Sequence, residues 1–148
     1  MSHIEAKLGA LGESLPEYQP PVANYLGCKQ SGTTLYVSAR VSRARGEVGT
    51  DLTTDAAHQA ARRTLLDILA IIKQGIGDLD RIVSVDKLVG FVRSASHFTE
   101  QPRVIDGASD LLVELWGVEG RHARTATGVA QLPFGAAVQL ELILTLSE

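Results

Sequence analysis

Arg124 is the residue of this chain best suited to holding a ligand. It stands in the run His122-Ala123-Arg124-Thr125-Ala126-Thr127-Gly128-Val129-Ala130-Gln131-Leu132-Pro133, and Val138-Gln139-Leu140-Glu141-Leu142 follows. The segment reads as two strands joined by a Pro/Gly turn, with the arginine at the start of the first. A guanidinium presents a planar fork of donors that matches a carboxylate with two parallel bonds, a contact of about 1.5–3 kcal/mol. The competing reading of Arg124 is an ion pair with a neighbouring acid that serves cohesion alone. In the second strand Val138, Leu140, Leu142, Leu144 and Leu146 share one side, and Gln139 and Glu141 the other.

The remaining reactive side chains are scattered. His3, His58, His97 and His122 share no ligand-like spacing and Cys28 is the only cysteine, so no metal site is expected. His122 precedes Arg124 by two and shares its strand face, as a rim residue or a solvated one. A lone cysteine in a strand reads as packing. No P-loop, dinucleotide fingerprint or nucleophile elbow is present. The net charge is −3, and only Arg40, Arg43 and Arg45 lie close together. That trio reads as a solvated loop edge. Neither a nucleic-acid surface nor attraction to an anionic membrane is expected.

The elements that must position these residues follow from spacing. Ser2-x-x-Glu5 has the form of a capping box, and Ile4, Leu8 and Leu11 suggest a short helix ending near Gly12 within an N-terminal extension over residues 1–14. Leu15 to Pro21 carries three prolines and reads as an irregular crossing. Val22 to Cys28 and Thr34 to Val41 read as strands around a Ser31-Gly32-Thr33 turn, and Arg43 to Asp51 as a loop. The longest helix is expected from about Thr54 to Gln74, where Ala57, Ala61, Leu65, Ile68, Leu69 and Ile72 form one stripe before Gly75 and Gly77. Arg81 to Arg93 reads as a strand. A helix begins near Pro102 and runs to Trp116, burying Ile105, Ala108, Leu112 and Leu115. Gly117 to Arg121 closes it before the final two strands.

The order β-β-α-β-α-β-β implies one α+β domain over 1–148, a single mixed sheet with two main helices on one face and a short N-terminal helix. Two helices cover only one face, so the other predicts an interface and hence a homo-oligomer. No segment has a signal peptide's pattern or a membrane-spanning length, which makes the cytoplasm the expected compartment.

Two stretches resemble the Rid family (YjgF-like, once labelled endoribonuclease L-PSP). The closing segment is similar to its Pro-Ala-Arg-x-x-Val, Leu-Pro and Val-Glu-Ile-Glu pattern. Tyr25 and Tyr36-Val37-Ser38 fit a Pro-Tyr start and a Val-Ser-Gly-Gln ending, with Ala39-Arg40 replacing Gly-Gln. The resemblance implies a chorismate mutase-like fold, a homotrimer with sheets around a central barrel, and ligand clefts between subunits. It implies hydrolytic deamination of reactive enamines or imines derived from amino acids, releasing a 2-keto acid and ammonia, with no cofactor. Arg124 matches the carboxylate-binding arginine. Tyr25, Ser38, backbone groups at Thr125, and Gln139 match positions lining the cleft. Many deaminating members carry glutamate where this chain has Gln139. An amide can hold a water but cannot exchange protons as a carboxyl group can. Glu141 matches the family's second glutamate, about 7 Å farther along the same strand face, and does not replace the first. That substitution favours the alternative of a non-catalytic trimer binding a small carboxylate.

Overall fold

Thr53 begins the longest helix, its hydroxyl accepting from the Ala56 N–H. This satisfies one of the donors that every helix start leaves free. The helix, α2, spans Thr54–Ile76 and ends at Gly77, whose φ of 89° favours a residue without a side chain. Its expected stripe is fully buried. Gly75 lies inside the helix rather than ending it, where the missing side chain leaves room for the Cys28 sulfur. The structure, a computed structural model, describes residues 2–148.

The other elements are α1 (His3–Ala10), β1 (Cys28–Ser31), β2 (Thr34–Val41), β3 (Ile82–Arg93), α3 (Gln101–Trp116), β4 (Ala123–Val129) and β5 (Val138–Leu146). The strands form one mixed sheet in the order β1-β2-β5-β3-β4. β3 pairs antiparallel with β5 and parallel with β4. The last two strands are therefore not neighbours; their connection crosses β3 and leaves β4 at an edge. Helices α2 and α3 cover one face, burying Leu35, Val85, Leu88, Leu140, Leu142 and Leu144 between the layers. On the other face Tyr36, Val89, Phe91 and Ile143 lie under no helix. No helix among the described residues is long and apolar enough to cross a membrane.

The first strand differs from expectation. Residues 22–27 are irregular, and β1 begins only at Cys28. Pro20 and Pro21 supply no N–H for a ladder. A register shift in β2 between Val37 and Arg40 also breaks its pairing pattern with β5. The segment is tied to β2 by two bonds instead: the Ser38 N–H to the Gly27 carbonyl at 2.9 Å and the Ser38 hydroxyl to the Leu26 carbonyl at 2.6 Å.

Helix α1 begins at Ser2, whose hydroxyl accepts from the Glu5 N–H. Its first turn also docks on Asp80, which accepts from the His3 and Ile4 N–H groups at 2.7 and 3.0 Å. Desolvation pushes the Asp80 carboxyl up, but the two backbone donors outweigh it and hold the group below its ordinary value. A depressed carboxyl stabilises the fold above its unfolded-state pKa, and the contribution is lost as pH falls through the folded value. Asp80→Asn is expected to lower the Tm at neutral pH by roughly 2–4 °C, from about 1 kcal/mol of lost capping. The gap from the parent should begin to narrow below about pH 3.9 and close as pH falls through the folded value; thermal melts stepped from pH 7 into the acid range check both statements.

Candidate functional site

Arg124 pairs in register with Leu88 and points to the helix side of the sheet, toward α3. One nitrogen, Nη1, donates to Asp106 Oδ1 at 2.7 Å and to the Ser109 hydroxyl at 3.2 Å. Nε and Nη2 have no protein partner among the described residues, so half the fork is uncommitted. Asp106 and Ser109 stand three apart on α3, the spacing that puts both on one helix face. His122 joins the group: Ser109 Oγ lies 2.9 Å from its Nε2, and its Nδ1 lies 2.7 Å from the Gly120 carbonyl. A carbonyl only accepts, so Nδ1 carries the proton. In neutral His122, Nε2 then receives the Ser109 hydroxyl proton while Ser109 Oγ accepts from Arg124. His122 is thus half-buried and doubly bonded, not a free surface residue.

Thr125, Gln139 and Glu141 point the other way. Val89 pairs with both Thr125 and Glu141, and Phe91 with Gln139, which sets all three on the face without helices. Among the described residues, no side-chain hydrogen bond engages Gln139 or Glu141. Gln139 and Tyr25 border a cavity of about 470 Å³ together with Arg40, Arg43, Arg45 and Phe134. A single chain therefore brings Tyr25 and Gln139 together but separates them from Arg124 by the sheet itself. Ser38 holds residues 26 and 27 in place behind Tyr25, its hydroxyl proton committed to Leu26.

The arginine trio is more organised than a solvated edge. Arg43 grips Asp67 with two bonds, Nη2–Oδ1 at 2.6 Å and Nε–Oδ2 at 3.2 Å, and Asp67 is buried. The signal in the sequence was an aspartate between Leu66 and Ile68, within the apolar part of α2, where a buried acid calls for a partner. Burial pushes the Cys28 thiol up, away from the reactive thiolate. The described residues hold no group of three His, Cys, Asp or Glu side chains able to bind a metal ion.

Comparison with known proteins bears on the whole chain. A family model described as YjgF/chorismate mutase-like, putative endoribonuclease matches residues 5–146. Protein TCP17 of Trypanosoma cruzi is 42% identical, the match covering 97% of this chain and 94% of that protein. The crystal structure of Atu1372 from Agrobacterium tumefaciens, a protein of unknown function, is 41% identical with a TM-score of 0.90, covering 97% of this chain and 92% of that one. A putative endoribonuclease from Shewanella oneidensis is 31% identical with a TM-score of 0.92, covering 97% and 99%.

Proposed function

The chain belongs to the YjgF/chorismate mutase-like, putative endoribonuclease family, and from that premise we propose that it hydrolyses reactive enamines and imines derived from amino acids to 2-keto acids and ammonia. The observation that carries the reading is the half-engaged guanidinium of Arg124, steadied on one nitrogen by Asp106 and Ser109 with its remaining donors available to a carboxylate. A trimer would supply what one chain lacks if the edge strand β4 of one chain, which carries Arg124, lies against the Tyr25–Gln139 cavity of the next. In that cleft the substrate carboxylate lies in the fork and the Gln139 amide holds a water near the C=N carbon. Addition of water gives a carbinolamine, which expels ammonia once its nitrogen is protonated and leaves the carbonyl. Protons come from solvent, because an amide cannot relay them. Such substrates are reactive enough for positioning to accelerate them.

Gln139 favours a second reading, a trimer that holds a small carboxylate without turnover. Endoribonuclease chemistry, the word in the family description, has less support, since the net charge is −3 and the basic residues are scattered along the chain. Ammonia release from freshly generated 2-aminoacrylate separates the first two. Weak turnover is expected from the parent, and Gln139→Glu should raise it toward roughly a hundredfold by restoring a proton-exchanging group. If neither form exceeds the uncatalysed rate while both bind a keto acid, the binding reading replaces the enzyme. A monomeric mass by light scattering at micromolar concentration would remove the shared cleft altogether.

A further inference from the structure

The cavity bordered by Tyr25 and Gln139 carries more positive charge than a monocarboxylate needs. Of its arginines, only Arg43 is matched, by the buried carboxylate of Asp67. Among the described residues, no acid forms a salt bridge with Arg40 or Arg45, and neither guanidinium makes a side-chain hydrogen bond. The amide of Gln139 adds no negative charge. Two unmatched cations therefore share one concavity on a chain whose net charge is −3, and low-dielectric walls focus the field of such a pair.

The walls are apolar where the cations are not. Tyr25 closes one side. Phe134 stands at the mouth, 71% exposed, with a φ of 61°, the only left-handed backbone among the described residues other than glycine. A bulky residue in that conformation is strained, and its neighbours must hold it there. The Pro133–Gly135 turn does so, with the Gly135 carbonyl accepting from the Gly46 N–H at 2.9 Å. The turn thus places the Phe134 ring at a cationic opening instead of in the core. Arg40 is half-buried and Arg45 exposed, and unpartnered guanidiniums beside aromatic side chains are an arrangement that accepts an anionic group on a short organic body.

We infer that this cavity is a second anion pocket of the proposed cleft, so that the preferred ligand carries two acidic groups, a dicarboxylate or a carboxylate with a phosphate. The inference rests on the cleft reading for the first group, held by Arg124. Arg40 and Arg45 take the second. Neutral Gln139 suits this arrangement, because a glutamate there would repel the incoming anion.

Calorimetry with three probes tests it: 2-oxobutanoate with one carboxylate, 2-oxoglutarate with a second, and phosphoenolpyruvate with a phosphate. At least one of the latter two should bind roughly ten- to a hundredfold more tightly than 2-oxobutanoate, and which one does so identifies the second group. Arg40→Gln with Arg45→Gln should erase that advantage, leaving 2-oxobutanoate affinity and oligomer mass unchanged. Gln139→Glu should weaken the doubly acidic probes more than 2-oxobutanoate, because the added carboxylate stands beside the second acidic group. Equal affinity for all three in the parent protein overturns the second pocket while leaving the Arg124 reading standing. Conversely, if Arg124→Ala alters no probe but Arg40→Gln still weakens the doubly acidic one, the cleft reading fails and the pocket survives. Loss of assembly in the double variant would assign these arginines to subunit contact, and displacement by a short oligoribonucleotide at lower concentration would assign them to a polynucleotide; either overturns the small-molecule assignment.

Discussion

Gly107→Ala is expected to lower the Tm by roughly 6–12 °C, corresponding to about 3 kcal/mol of overpacking. Helix propensity alone predicts the opposite, since alanine is favoured over glycine in a helix interior by about 1 kcal/mol. Geometry decides the sign. A side chain at Gly107 would run into the His58 carbonyl and crowd the Arg62 backbone nitrogen, both on α2. The helices cross closely there, and backbone cannot move aside as a flexible side chain would. Gly9 in α1 is the matched control: nothing lies within 4 Å of an added carbon. Gly9→Ala should therefore be neutral or raise the Tm slightly. Melting curves of the two variants beside the parent settle the comparison; a Gly107→Ala protein as stable as the parent would show that the helices can separate freely. The contact also has a functional side. Asp106 adjoins Gly107, so the approach of α3 to α2 helps set where the carboxylate meets Arg124.

What could be read before the fold was seen follows the range of each interaction. Helices α2 and α3 were legible because their signals are local: a proline in the first turn of α3 and apolar residues repeating at helical spacing in both. β5 was legible from strict alternation, which placed Gln139 and Glu141 on the face away from the core. Residues 22–28 misled because Val22, Tyr25, Leu26 and Cys28 are the types found in strands. What kept residues 22–27 out of the ladder was the preceding proline pair and the register shift in β2, the latter a tertiary feature. The neighbours of β4 were equally hidden. A short turn suggests a hairpin, yet β3 occupies the place between the two strands. At the site, Arg124 and Gln139 could be picked out by resemblance. Asp106 and Ser109 could not be assigned roles, because they reach Arg124 across 18 and 15 residues of chain through packing of α3 on the edge of the sheet. Arg43 was misjudged for a related reason: charge spacing cannot show that it reaches a buried aspartate on α2.

Arg124→Ala is expected to weaken binding of a small keto acid by roughly ten- to a hundredfold, the equivalent of about 1.5–3 kcal/mol for a charge-assisted contact. Arg124→Lys should fall between the parent and the alanine variant, because an ammonium keeps the charge and loses the planar pair of donors. The salt bridge to Asp106 sharpens the test. If that bridge were the arginine's whole purpose, its removal would lower the Tm and leave ligand affinity alone. The stability at stake is small, since the Asp106 side chain is 43% exposed and a solvated carboxylate tolerates losing its partner. A change in Tm of no more than about 2–4 °C is therefore expected from the bridge itself. Asp106→Asn separates positioning from binding. Its neutral amide still has an oxygen for Nη1, so it should loosen the guanidinium and reduce affinity less than Arg124→Ala does. Keto-acid titration and light scattering on all three variants give the answer. Unchanged affinity in Arg124→Ala removes the arginine from the site, whereas selective loss of binding with unchanged oligomer mass assigns its open donors to the ligand.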